Sequence, residues 1–146
     1  MAQIKKIALE ARLKEKFRVE TTIRNHSLIV DQPGVLGGDD GGVTPIEALA
    51  FALAGCQAHV ARVVAQQQGV ELRGMELRVE GELNTDVFLG KSDEGRAGLS
   101  GLRIVVKLDA DLSREEKKRF LHEVDRRCPV SDNLLNATPV VVELED

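Results

Sequence analysis

Cys56 and Cys128 are the only thiols in the chain. A thiolate is a nucleophile and a metal ligand, while a protonated buried thiol is a small, inert hydrophobe. The opening Met1-Ala2-Gln3-Ile4-Lys5-Lys6 leads into no apolar signal core, and the chain reads as cytoplasmic. A structural disulfide is not expected in that compartment. Two cysteines then mean inert core thiols, a redox pair or metal ligands.

The neighbours of the two thiols differ. His59 follows Cys56 by one helical turn. It is either a base or hydrogen-bond partner for the thiol, or a histidine satisfied at an interface. His122 and His26 read as surface residues. A metal site from Cys56, His59 and Cys128 has no close Cys–Cys or His–His spacing behind it, and no metal is expected. Cys128 follows Arg126-Arg127 and stands near a helix start, and both features favour a thiolate. Cys56 lies among apolar residues, which by themselves raise a thiol pKa. An active Cys56 therefore needs a cationic helper from elsewhere in the fold.

The elements that would hold these residues are legible in outline. Ile4 to Leu13 reads as a strand, and Phe17–Ile23 and Ser27–Val30 as a hairpin about Arg24-Asn25-His26. Pro33 to Gly42 is a loop whose Gly pairs bracket Asp39-Asp40; it lacks the Lys-Ser/Thr end of a phosphate loop. Thr44, Pro45 and Glu47 then punctuate a helix start, with Thr44 as N-cap and Glu47 closing a capping box. The helix runs to about Gln68 and stops at Gly69. Its first half, Ala48 to Cys56, is apolar on every face and is expected to be buried all round. The run is too short to span a bilayer.

Leu77, Val79, Gly81 and Leu83 alternate with polar residues, and Leu102, Ile104, Val106 and Leu108 share one face. Both patterns are those of half-buried strands, with a polar loop from Thr85 to Ser100 between them. Ser113 and Glu116 open a helix to about Arg127 whose inner face carries Phe120, Leu121 and Val124. A short turn or helix follows near Asp132–Asn136, and Val140–Leu144 reads as a last strand. With 146 residues and no linker or repeat, residues 1–146 are expected to form one domain.

Composition narrows the partners. The four Phe are the only aromatics and the net charge is −4, so stacking platforms and basic stripes are both lacking. Nucleic acid and anionic membrane are poor partners for such a chain.

Three segments in this order resemble the OsmC/Ohr family, named for osmotically inducible protein C and organic hydroperoxide resistance protein. They are the Gly-rich loop into Thr44-Pro45-Ile46-Glu47-Ala48-Leu49, then Ala54-Gly55-Cys56, then Cys128-Pro129-Val130-Ser131. With the strand order they cover nearly the whole chain. The resemblance implies an α+β fold with antiparallel sheets packed on a long buried central helix. It further implies an intertwined homodimer whose sites draw on both subunits. The activity implied is a cofactor-free, thiol-dependent peroxidase of the oxidative-stress response, acting on organic hydroperoxides and regenerated by an external dithiol. Cys56 matches the attacking cysteine and Cys128 the resolving one.

The family also holds an arginine by a glutamate near the attacking thiol. Arg18 is the choice for the arginine because it falls on a strand, with Arg12 and Arg24 nearby, and Glu47 is the choice for its partner. The family's glutamate stands ten residues ahead of the cysteine, where this chain has Ile46. Glu47 is nine ahead, and at about 100° per residue it falls roughly opposite Cys56. Glu47 is therefore either a cap or a clamp. The alternative to the enzyme is a dimeric ligand-binding or redox-sensing domain with passive thiols.

Overall fold

The computed structural model describes residues 1–146, which divide into two compact units, 1–49 and 50–146. In the first unit, β1 (Ala11–Leu13), β2 (Val19–Ile23) and β3 (His26–Val30) form an antiparallel sheet in that order. The β2–β3 hairpin closes by pairing Ile23 with His26, leaving Arg24 and Asn25 as its turn. A short 3-10 turn, Gly34–Leu36, lies in the glycine-rich loop. Two of that loop's glycines are required by close backbone approach. A Cβ on Gly38 would lie 1.9 Å from the Gln32 carbonyl oxygen, and one on Gly42 would lie 2.5 Å from that of Ile29.

The helix α1 (Pro45–Gln68) crosses the boundary between the units. Its start is the expected capping box: Thr44 Oγ1 accepts the Glu47 N–H at 3.2 Å, and Glu47 Oε2 accepts the Thr44 N–H at 2.7 Å. It ends at Gly69, whose φ of 68° is in the left-handed region that glycine enters freely.

The second unit continues with β4 (Gly74–Leu83), the one-turn helix α2 (Thr85–Phe88), β5 (Leu99–Asp109), α3 (Arg114–Arg126) and α4 (Pro129–Leu135). β4 and β5 form a long antiparallel hairpin that pairs Leu77 with Val106 and Val79 with Ile104, with a register shift at Glu82/Leu83. Ser113 and Glu116 cap α3 reciprocally, as their spacing requires. The core joins Ala61, Val64 and Ala65 of α1 to Leu72, Leu108, Ala110, and Phe120 and Val124 of α3. Phe120 is the one aromatic ring in this core.

Four expectations need correction. Only Ala11–Leu13 of the opening segment is a strand, and Val140–Leu144 has no regular structure. Both segments carry exposed apolar side chains, among them Ile7 at 84% and Val142 at 93%. Apolar patterning alone does not make a strand; a partner edge must accept its hydrogen bonds. The first half of α1 is not buried all round either, since Phe51 is 78% exposed. Finally, α1 as a whole has the length and apolar composition of a membrane-crossing helix, although the run ending at Cys56 does not. Its Leu53, Gln57, Ala61, Val64 and Ala65 are nevertheless buried within the protein.

Candidate functional site

Cys56 and Cys128, far apart in sequence, are brought together. Cys56 projects from the middle of α1 and is half-buried; Cys128 is the N-cap of α4 and has no exposed surface. The two thiols are free and near each other. The Ser131 N–H donates to Cys128 Sγ at 3.5 Å. Pro129 at the first position of α4 fixes the turn that presents Cys128.

The electrostatics of Cys128 reverse the sequence expectation. Burial pushes its thiol up to about 11, helped by the adjacent Cys56 and only partly offset by the Ser131 and Val130 N–H groups. Arg126 and Arg127 do not supply the opposing charge. Arg126 forks onto Glu123 at 2.8 and 3.0 Å. Arg127 donates to Gln67 Oε1 at 2.8 Å and pairs with Glu123 at 3.6 Å.

An exposed carboxylate that the sequence reading passed over, Asp125, links Gln57 and Ser131, which neighbour the two thiols. Asp125 Oδ1 accepts from Gln57 Nε2 at 2.7 Å and from Ser131 Oγ at 2.8 Å. Gln57 and Ser131 are 4% and 7% exposed. The signal was available: Gln57 is the first polar residue in α1 after Glu47, next to Cys56, and a buried amide demands a partner. Its partner, 68 positions along the chain, was not readable.

Arg18 and Glu47 are not paired with each other. Arg18 lies just before β2 and not on the strand as expected, and its Nε donates to Glu20 Oε1 at 2.7 Å. Its guanidinium also neighbours Asp31: a Cβ on Gly41 would lie 2.9 Å from Arg18 Nη1 and 3.2 Å from Asp31 Oδ2. Asp31 is 1% exposed and accepts the N–H groups of Gly41 at 2.9 Å and Gln32 at 2.8 Å. Those bonds, the Gly41 N–H foremost, hold its carboxyl below the usual range, and the charge of Arg18 adds to the effect. Glu47 serves the α1 cap described above and has no arginine partner within the chain. Arg12 pairs with Glu10 at 3.5 Å.

His59 is exposed and makes no hydrogen bond within the chain, and His26 and His122 are exposed as expected. Cys56, His59 and Cys128 form no cluster of three metal-ligating groups.

Comparison with known proteins agrees with this arrangement at the level of fold. A family model described as OsmC-like protein matches residues 37–145. No curated protein matches the chain. Among solved structures, an OsmC-like protein from Mycoplasma pneumoniae superposes with a TM-score of 0.79 at 23% identity, covering 92% of this chain and 91% of that one. The organic hydroperoxide resistance protein OsmC of Legionella pneumophila gives 0.62 at 24% identity, with 91% of each chain covered. The organic hydroperoxide resistance protein OhrB of Bacillus subtilis gives 0.63 at 20% identity, covering 89% of this chain and 90% of that one.

Proposed function

The chain belongs to the OsmC-like protein family, and from that premise we propose that it is a thiol-dependent peroxidase that reduces organic hydroperoxides through a Cys56/Cys128 disulfide cycle. The observation that carries the reading is the unequal burial of two adjacent thiols. Cys128 has no exposed surface, and adding a second subunit cannot uncover it; Cys56 is the thiol a peroxide can reach.

The steps follow from the positions. The Cys56 thiolate attacks the terminal oxygen of ROOH, the O–O bond breaks, and the alkoxide leaves as ROH after taking a proton. Cys56 is now a sulfenic acid. Cys128 sulfur attacks it, the S–O bond breaks, and hydroxide departs as water with the Cys128 proton. An external dithiol reduces the resulting disulfide by exchange and is itself oxidised. On the family resemblance, Arg18 is the cation we assign to stabilise the Cys56 thiolate; it is held by Glu20 in place of a helix glutamate, with Glu47 left to cap α1. The apolar walls around Cys56, with Leu53 and Val60 on the same helix, favour an alkyl or aryl hydroperoxide over hydrogen peroxide.

We assign the active form as a homodimer, because Phe51 on the Cys56 helix and the apolar residues of both chain ends are uncovered in one copy. The relatives named as organic hydroperoxide resistance proteins support the choice of substrate. The reading of a binding or sensing domain with passive thiols draws on the absence of an Arg18–Glu47 pair.

The test is to mix reduced protein with cumene hydroperoxide and follow peroxide loss and free thiol together. The wild type should consume peroxide with loss of both thiols, while Cys56→Ser should not. Peroxide loss no faster than the Cys56→Ser background would refute the enzyme.

A further inference from the structure

The two cysteines stand on separate elements, and their closeness has to be held by something other than the thiols. Cys56 is on α1 and Cys128 precedes α4. Asp125, on the last turns of α3, bonds to both of those elements through a single oxygen. One of its partners, Gln57, is the residue after Cys56. The other, Ser131, is the residue whose N–H donates to Cys128 Sγ. The link is reinforced on the backbone side, where the Cys128 N–H donates to the Asp125 carbonyl at 3.2 Å. Asp125 itself is exposed and the two bonds are part-buried, but their donors, Gln57 and Ser131, are almost closed to water, where an amide or hydroxyl left without a partner is costly.

We propose that Asp125 is the positioning residue of the thiol pair: by tying Gln57 and Ser131 to one carboxylate oxygen it sets the spacing at which Cys56 and Cys128 close into a disulfide. The role deepens the peroxidase reading and rests on it for its physiological meaning. Its consequence falls on the second chemical step only. Attack of Cys56 on peroxide needs no Cys128. Closure needs the two sulfurs aligned, and a displacement of an ångström in such a step costs about 100-fold in rate. A sulfenic acid that waits for its resolving thiol is open to a second peroxide, which oxidises it to sulfinic acid.

The experiment compares Asp125→Ala and Asp125→Asn with wild type, using two oxidants. Cumene hydroperoxide tests closure within the peroxidase cycle. Diamide, an azo compound that takes two electrons and two protons from two thiols, tests closure without any peroxidase step. Asp125→Ala should close the disulfide at least about tenfold more slowly with either oxidant. With excess cumene hydroperoxide it should also accumulate Cys56 sulfinic acid, while its first-step rate stays that of wild type. Asp125→Asn keeps an oxygen able to accept both bonds, and should restore most of the closure rate. A role in general stability alone would not give that split between steps.

If Asp125→Ala does not fold, Ser131→Ala and Gln57→Met each remove one of the two bonds and should each slow closure. Wild-type closure rates in Asp125→Ala, or in both of those variants, would overturn the proposal. A wild type that closes with diamide but ignores peroxide would refute the peroxidase and leave the positioning role standing.

Discussion

At the scale of single residues, the two thiols differ through burial. Cys128 holds its proton up to about pH 11, because a thiolate there would have no water around it. In the unfolded chain the same thiol titrates near about 8.5. The folded state therefore binds more protons between those values, and the stability this contributes is full below the unfolded pKa and lost as pH rises toward 11. Urea unfolding between pH 8 and pH 11 should show stability falling with pH, and falling less steeply in Cys128→Ser. The same proton governs chemistry. Disulfide closure requires Cys128 sulfur as the nucleophile, and its rate should rise about tenfold per pH unit from pH 7 until it flattens near the Cys128 pKa. Stopped-flow thiol loss after Cys56 has been oxidised measures this, and a pH-independent closure would contradict the assignment of Cys128 as resolving thiol. Arg126 and Arg127 looked like activators in the sequence because adjacency in the chain is all a sequence displays. Their side chains had nearer acceptors in Glu123 and Gln67.

At the scale of elements, α1 and α3 were legible almost to the residue, because Thr44-Pro45-Glu47, Gly69 and Ser113-Glu116 are local chemical signals with fixed spacing. The β4–β5 hairpin was legible from its period-two pattern. The terminal strands were misread because strand formation depends on a partner edge, and no local signal reveals one. The Asp125 network stayed hidden for the same reason: it joins α1, α3 and α4 across long stretches of sequence. The packing of α3 against α1 carries a prediction of its own. Phe120 is 3% exposed in a core otherwise built of aliphatic side chains. Phe120→Ala should lower stability by about 3–5 kcal/mol in urea titrations, because so large a void among Val64, Val124 and their neighbours cannot collapse. A loss below about 1 kcal/mol would show that α3 is not part of the cooperative core.

For the molecule as a whole, exposed apolar surface is the dominant unexplained cost of a single copy. Phe51, Val140, Val141, Val142 and Leu144 are each at least 78% exposed. That amount of uncovered apolar area marks an interaction surface, and a second copy is the partner we assign. Phe51→Glu places a charge in that surface without touching either cysteine. It should shift light scattering coupled to size exclusion from dimer toward monomer at micromolar concentration, whereas an unchanged mass would remove Phe51 from the interface.

All three scales meet in the claim that Cys56 attacks peroxide and Cys128 resolves it. The most direct measurement is intact mass under non-reducing conditions after one equivalent of cumene hydroperoxide. Wild type should lose about 2 Da as two thiols become a disulfide, and Cys128→Ser should gain about 16 Da as a trapped sulfenic acid at Cys56. Cys56→Ser should be unchanged. A wild-type mass that does not move, or a gain of about 16 Da at Cys128 in Cys56→Ser, would contradict the account.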